Sequence, residues 1–212
     1  MNILIVSGGK KISKEKLKEL CKANDLIVAA DSGADQLIDL NILPDYLIGD
    51  LDSISLKSKK LLETKDINVI IYPKEKDKSD TEIALDLVIK KSPTTITFTS
   101  VIGTRMDHSL SNIFLLKKLY DLNIDSQIID DNNLIKILNN EQSIINPSDF
   151  DYVSIVPISL DGIIISIKGF HYNLDKQFVK FGSSMCISNE MNSNEGYITK
   201  HSGEGLLILS KD

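Results

Sequence analysis

Along roughly the first 120 residues, short apolar runs alternate with stretches whose apolar residues recur three or four apart. Residues 2–7 (NILIVS), 26–30 (LIVAA), 47–49, 69–72 (VIIY) and 94–101 (TTITFTSV) are apolar or β-branched and are bounded by Gly, Pro, Asp or Ser, so each reads as a strand. Between the first two, residues 14–23 bring Leu17, Leu20 and Cys21 onto one helical face. Further helices are expected over 34–40, 55–63, 81–91 and 109–122. This alternation produces a mostly parallel sheet covered by helices. Beyond Leu122 the helical period disappears. Short β-like runs remain at 127–129, 134–138, 152–157, 162–168, 185–188, 197–200 and 206–210, separated by Asn, Gly, Asp and Pro. The expected architecture is an α/β N-terminal domain with a mostly parallel sheet over residues 1–124, followed by an all-β, sandwich-like C-terminal domain over residues 125–212.

Composition narrows the functional classes. A chain of 212 residues with 42% hydrophobic and 25% charged residues has enough apolar material for two packed cores, which excludes wholesale disorder. Twenty-four Lys and Arg against 30 Asp and Glu leave a formal charge of −6, the wrong sign for a protein that grips a nucleic-acid backbone. Cys21 and Cys186 stand far apart, in neither a disulfide framework nor a zinc-type spacing, and a reducing cytoplasm is the expected location. Residues 1–7 are too short and wrongly flanked for a signal peptide, and no apolar run approaches the length of a membrane span.

Ligands of open α/β sheets bind outside the carboxyl ends of the strands, so the turns after the strands are the places to search for chemistry. Four of these turns are acidic or carry a cation: Asp31-Ser32-Gly33-Ala34-Asp35, Asp50-Leu51-Asp52-Ser53, Asp77-Lys78-Ser79-Asp80-Thr81 and Arg105-Met106-Asp107-His108. An extended backbone through Asp50-Leu51-Asp52 is expected to point both carboxylates to one side and Leu51 toward the core. Asp80, at the start of a helix, can add a third oxygen. Magnesium is held by one or two carboxylates, with waters and substrate phosphates completing its shell, so the cluster suggests a Mg-nucleotide site. The same residues also serve backbone purposes, since Asp and Ser are favoured in turns and N-caps, and Ser79-Asp80-Thr81-Glu82 fits a capping box.

Arg105 lies just before a helix, where a guanidinium can grip phosphate beside the positive helix end. Lys74, Lys76 and Lys78 alternate with Glu75 and Asp77, and at least one of the three is expected to touch phosphate. Gly8-Gly9 can let backbone approach a nucleotide, or simply form a turn. Neither a Walker A pattern nor G-x-G-x-x-G is present, and no Ser or Cys sits in a nucleophile elbow. His108 reads as a hydrogen-bonding loop residue.

The order and spacing of Ala30-Asp31-Ser32-Gly33-Ala34, Pro44-Asp45-Tyr46-Leu47-Ile48-Gly49-Asp50-Leu51-Asp52-Ser53, Asp77-Lys78-Ser79-Asp80-Thr81-Glu82, and Gly103-Thr104-Arg105-Met106-Asp107-His108 with Asn112 closely resemble the thiamine pyrophosphokinase family. Ser188-Asn189-Glu190 and Gly205-Leu206-Leu207 resemble that family's thiamine-binding domain. The pattern departs at Ser32 and Thr104, where the family usually has Gly. Neither departure removes a carboxylate.

The resemblance implies transfer of a pyrophosphoryl group from ATP to thiamine, giving thiamine diphosphate and AMP, by a Mg²⁺-dependent homodimer with thiamine between the α/β domain of one subunit and the β domain of the other. By the same resemblance Asp50, Asp52 and Asp80 hold the metal with Asp77 beside them, and Asp50 or Asp80 accepts the thiamine hydroxyl proton. Asp31, Lys78, Thr81, Arg105, Asp107 and Asn112 face ATP, with Arg105 also acting on the transferred group. Ser188 and Asn189 face thiamine. Two other readings suit the same residues: a Mg-dependent nucleotide pyrophosphatase, in which water attacks, and a nucleotide- or thiamine-binding protein without catalysis.

Overall fold

The computed structural model describes residues 1–62, 67–73, 75, 77–139 and 142–212. It divides into two compact units, Met1–Asp131 and Asn132–Asp212. This division falls seven residues beyond the joint read from the sequence, because the strand at Asp125–Ile129 pairs parallel with its predecessor and belongs to the first unit.

The first unit alternates β1 (Asn2–Val6), α1 (Lys14–Ala23), β2 (Leu26–Ala30), α2 (Gly33–Ile38), β3 (Tyr46–Gly49), α3 (Leu56–Leu62), β4 (Asn68–Ile71), α4 (Asp80–Ile89), β5 (Thr95–Thr99), α5 (Met106–Asp121) and β6 (Asp125–Ile129). The strands lie in the order β4-β3-β2-β1-β5-β6, and every pairing among them is parallel. The central strands read as continuous apolar runs because helices cover both of their faces. Ile3, Leu4, Ile5 and Val6 of β1 are all fully buried, as are Leu47 and Ile48 of β3. Strand order reverses between β1 and β5: the chain builds outward from β1 to β4, then returns to the other side of β1. That reversal opens a crevice at the carboxyl ends of β1 and β5.

Local sequence explains the helix starts. Ser13 caps α1 by accepting from the Lys16 amide, and its own amide and hydroxyl donate to Asp131. Ser79 caps α4 by accepting from the Glu82 amide at 3.2 Å. Helix α5 begins at Met106, three residues before the expected start, which places Arg105 at its N-cap.

The second unit contains β7 (Asn133–Ile137), β8 (Gln142–Ile145), β9 (Tyr152–Pro157), β10 (Ile163–Lys168), β11 (Leu174–Val179), β12 (Gly196–Ser202) and β13 (Gly205–Ser210). Strand β13 pairs antiparallel with β7 and β9, while β11-β10-β12-β8 form a second antiparallel sheet. Alternate residues of both sheets fill one core. Val153, Ile155, Leu207 and Leu209 meet Ile163, Ile165, Ile167, Val179 and Ile198, with Phe170 fully buried among them. The described residues of this unit include no helix, in keeping with the lost periodicity. Residues 185–188, expected as a strand, instead form a turn: the Ile187 amide donates to the Ser184 carbonyl, and Ser188 adopts φ 55°.

Candidate functional site

The turn after β1 is tied across the crevice to the turn after β5. The Gly9 amide donates to the Ser100 carbonyl at 2.6 Å and the Lys10 amide to the Ile102 carbonyl at 2.8 Å. Beneath them, the buried Gln36 side chain donates to the Ser7 carbonyl and accepts from the Ser100 hydroxyl. These ties hold open a cavity of about 550 Å³ at the switch point. Its wall draws on the turns after β1, β2, β3 and β5 and on the N-termini of α4 and α5. Asp31, Ser53, Asp80, Thr81, Arg105 and Asn112 are among its lining residues.

Asp31 stands at the end of β2 with φ 51°, its amide bonded to the Ile48 carbonyl. Its Oδ1 is buried without a hydrogen-bond partner among the described residues. Burial pushes the Asp31 carboxyl above its ordinary range. Hydrogen bonds from the Ser53 side chain and the Ser32 amide oppose the rise, and the neighbouring Asp80 and Asp50 carboxylates add to it. An acid whose pKa is higher folded than unfolded favours the fold below its unfolded value of 3.8, and that contribution is lost as pH rises through the folded value. Asp31→Asn removes this penalty. The difference in melting temperature between variant and wild type is therefore expected to shift in the variant's favour between pH 3 and pH 8; calorimetry at the two pH values checks it. A difference that moved the other way would contradict the repulsive environment of Asp31.

Asp80 is the first residue of α4, with the helix's positive end behind its carboxylate. Thr81 beside it is buried, and its hydroxyl lies 2.9 Å from that of Ser7. Asp50 and Asp52 do not sit on an extended segment. Leu51 takes φ 62° and is half-buried, and the Asp52 amide donates to Asp50 Oδ1 at 3.0 Å, so the segment is a tight turn. Asp52 and Asp77 are exposed, and neither Asp50, Asp52 nor Asp77 lines the cavity. The carboxylates whose charges bear on Asp31 are Asp80 and Asp50. Among the described residues, no three His, Cys, Asp or Glu side chains converge as a ready-made metal cluster.

Of the cations, Arg105 and Lys10 line the cavity. Arg105 is exposed and clasped by Asp107 through Nε at 3.2 Å and Nη2 at 2.5 Å. The Arg105 guanidinium and the His108 amide hold the Asp107 carboxyl at about 2. Lys78 does not line the cavity; its ammonium meets Asp86 of α4 at 2.5 Å. Lys74 and Lys76 lie outside the described residues. Asn112 is buried in the wall, donating to the Val101 carbonyl at 2.8 Å. The sequence patterns assign no role to Lys10 or Ser100, although Ser100 directly follows β5 and Lys10 lies in the turn after β1, the two strands at which the sheet order reverses.

In the second unit, Ser188 donates its amide to the Ser154 hydroxyl. Asn189 is buried, and its side-chain amide pairs with the Tyr172 backbone in both directions, at 3.0 and 2.8 Å. Asn189 thus braces the wall of a separate cavity of about 330 Å³, which Tyr172, Asn173, Met185 and Cys186 also line.

A cavity at the switch point of a parallel sheet, lined by Asp31, Asp80 and Arg105, defines an α/β protein with a ligand site at the carboxyl ends of its strands. The family model for the thiamin pyrophosphokinase catalytic domain matches residues 17–128, and that for the thiamin pyrophosphokinase vitamin B1 binding domain matches residues 140–205. The chain belongs to the thiamine pyrophosphokinase family. It is 33% identical over 211 residues to the thiamine pyrophosphokinase of Bacillus subtilis (strain 168), covering 99% of each chain. The crystal structure of thiamine pyrophosphokinase from Bacillus subtilis superposes with a TM-score of 0.90 at 32% identity, covering all of both chains. That of thiamin pyrophosphokinase from Geobacillus thermodenitrificans gives 0.86 at 29% identity, covering 100% of this chain and 98% of that one.

Proposed function

We propose that this chain transfers the pyrophosphoryl group of ATP to the hydroxyethyl oxygen of thiamine, releasing AMP, as a cytoplasmic, magnesium-dependent homodimer. The observation that carries the reading is the switch-point cavity, where Asp31, Asp80 and Arg105 face one space in a chain that matches both family domains.

Asp50, Asp52 and Asp80 would hold magnesium, with Asp77 adjacent. The fit rests on an oxygen-only donor set and on the buried, unpartnered Oδ1 of Asp31 beside carboxylates that repel it. Bound magnesium would supply positive charge to the phosphate chain. The lack of a three-residue cluster accords with a cation that takes much of its shell from water and phosphate. Asp50 or Asp80 would accept the thiamine hydroxyl proton. Arg105, on the exposed lip, would grip the phosphates and offset the charge that develops on them, with Asp107 fixing the plane of its guanidinium. Asp31, Thr81 and Asn112 shape the nucleotide side. Lys78 would reach phosphate only by leaving Asp86, so Lys10 is the better supported lysine. Ser188 and Asn189 would serve thiamine, Asn189 by bracing Tyr172. Holding alcohol and phosphorus in line supplies much of the rate.

AMP production by purified protein with ATP and Mg²⁺ is expected only when thiamine is added. AMP released without thiamine would favour hydrolysis. Sedimentation at twice the 23.6 kDa chain mass would support the dimer, and monomer throughout would contradict it.

A further inference from the structure

The turn that carries Asp50 and Asp52 is closed from within by the Asp52 amide on Asp50 Oδ1, and the chain just beyond it is held from α2. Leu51 sits at φ 62°, a conformation that an L side chain keeps only where its surroundings impose it. Past Ser53, the chain is fastened by one residue of α2, Asp35. Its Oδ1 accepts from the Ser55 amide at 3.2 Å, from the Ser55 hydroxyl at 2.7 Å and from the hydroxyl of Ser58; its Oδ2 also accepts from the Ser55 amide at 3.2 Å. Ser58 is fully buried, so the contact is enclosed at one end. Asp35 therefore closes the start of α3, immediately after the Asp50–Ser53 turn, and it belongs to the same α2 segment that begins beside Asp31.

We propose that Asp35 is a positioning residue for the phosphoryl-transfer site, clamping the turn of Asp50 and Asp52 to α2 so that the turn keeps its place and Asp50 stays close enough to act on Asp31. The inference rests on the reading of Asp50 and Asp52 as metal-side residues. Asp35 does not line the cavity and acts through the backbone at Ser55. Loss of the clamp frees the turn without removing any donor from the site.

The test compares Asp35→Ala, Asp35→Asn and Ser55→Ala by kcat, KM for thiamine, thermal unfolding, and binding of Mn²⁺ alone followed by electron paramagnetic resonance. Asp35→Ala is expected to lower kcat and weaken Mn²⁺ binding by about 10- to 100-fold, the usual cost of losing a residue that orients a metal's ligands, while KM for thiamine stays within about twofold. Asp35→Asn keeps an acceptor oxygen for Ser55 and should recover most of both. Ser55→Ala keeps the amide contact and should fall between wild type and Asp35→Ala, which gives a reading even where Asp35→Ala folds poorly. A folded Asp35→Ala with wild-type kcat and Mn²⁺ affinity would overturn the proposal, as would Asp35→Asn behaving no better than Asp35→Ala. If wild type binds Mn²⁺ but makes no thiamine diphosphate, the reaction assignment fails, and the Mn²⁺ comparison still decides the role of Asp35.

Discussion

Asp80→Asn is expected to reduce kcat/KM by about a hundredfold to a thousandfold, the scale seen when one preorganised electrostatic group is removed from a reaction centre. The substitution keeps the size and planar shape of the side chain at the first position of α4, so the cost to the fold is confined to the charge. A carboxylate at a helix N-terminus is worth about 0.3–1 kcal/mol, which leaves the unfolding midpoint only slightly lowered. The Ser79 cap and the buried Thr81–Ser7 contact do not depend on the charge. Steady-state kinetics with saturating Mg²⁺, beside a thermal melt, separates the effects. A variant with intact stability and wild-type turnover would remove Asp80 from the reaction.

The second large effect is on folding. A Cβ at Gly33 would lie 2.1 Å from the Val6 carbonyl oxygen and 2.6 Å from its carbon, both backbone atoms at the end of the central strand. No rotamer change can relieve that contact, so Gly33→Ala must separate α2 from β1 or distort the Asp31 turn. Overpacking of this kind costs about 1–3 kcal/mol, and a clash with backbone belongs at or beyond the upper end. Against a total stability of about 5–15 kcal/mol, a marked fall in the denaturation midpoint follows. Gly182 provides the contrast: it has φ 78° but nothing within 4 Å of a built Cβ, so Gly182→Ala pays only the left-handed penalty of about 1–2 kcal/mol. Urea titration of the two variants should rank Gly33→Ala as the more damaged. Equal midpoints would contradict the close approach of α2 to β1.

The two consequences trace to features of unequal visibility in the sequence. The buried parallel strands β1, β2 and β3 announced themselves because helices on both faces demand unbroken apolar runs. Strands β8 and β11 were not anticipated. They are the edges of their sheet, and β11 (LDKQFV) exposes four consecutive residues, so neither carries a clear alternation. Residues 185–188 misled in the opposite direction: Met185 and Ile187 are apolar yet exposed, in a turn.

At the site, the rule that ligands gather at the carboxyl ends of strands pointed to the turns of Asp31, Asp80, Thr81 and Arg105, and these line one cavity together with Asn112, which the family resemblance had singled out. It could not foresee that Leu51 would adopt a left-handed conformation, which converts the extended Asp50–Asp52 pair into a turn. Nor does a charge pattern reveal which lysine is engaged elsewhere. Lys78 has Asp86 eight residues ahead, one side of the carboxylate that Lys118 of α5 also contacts at 2.9 Å. That contact is a tertiary one, invisible along the chain. Asp35 was similarly hidden, because its partners are a backbone amide and two hydroxyls about 20 residues away.

The most direct test of the central claim follows the fate of ATP labelled with ³²P at the β position, incubated with the purified protein, Mg²⁺ and thiamine. The account predicts that the label passes to thiamine diphosphate while unlabelled AMP accumulates in equal amount. Label retained in ADP, with thiamine monophosphate as the other product, would mean attack at the γ-phosphorus and would contradict it.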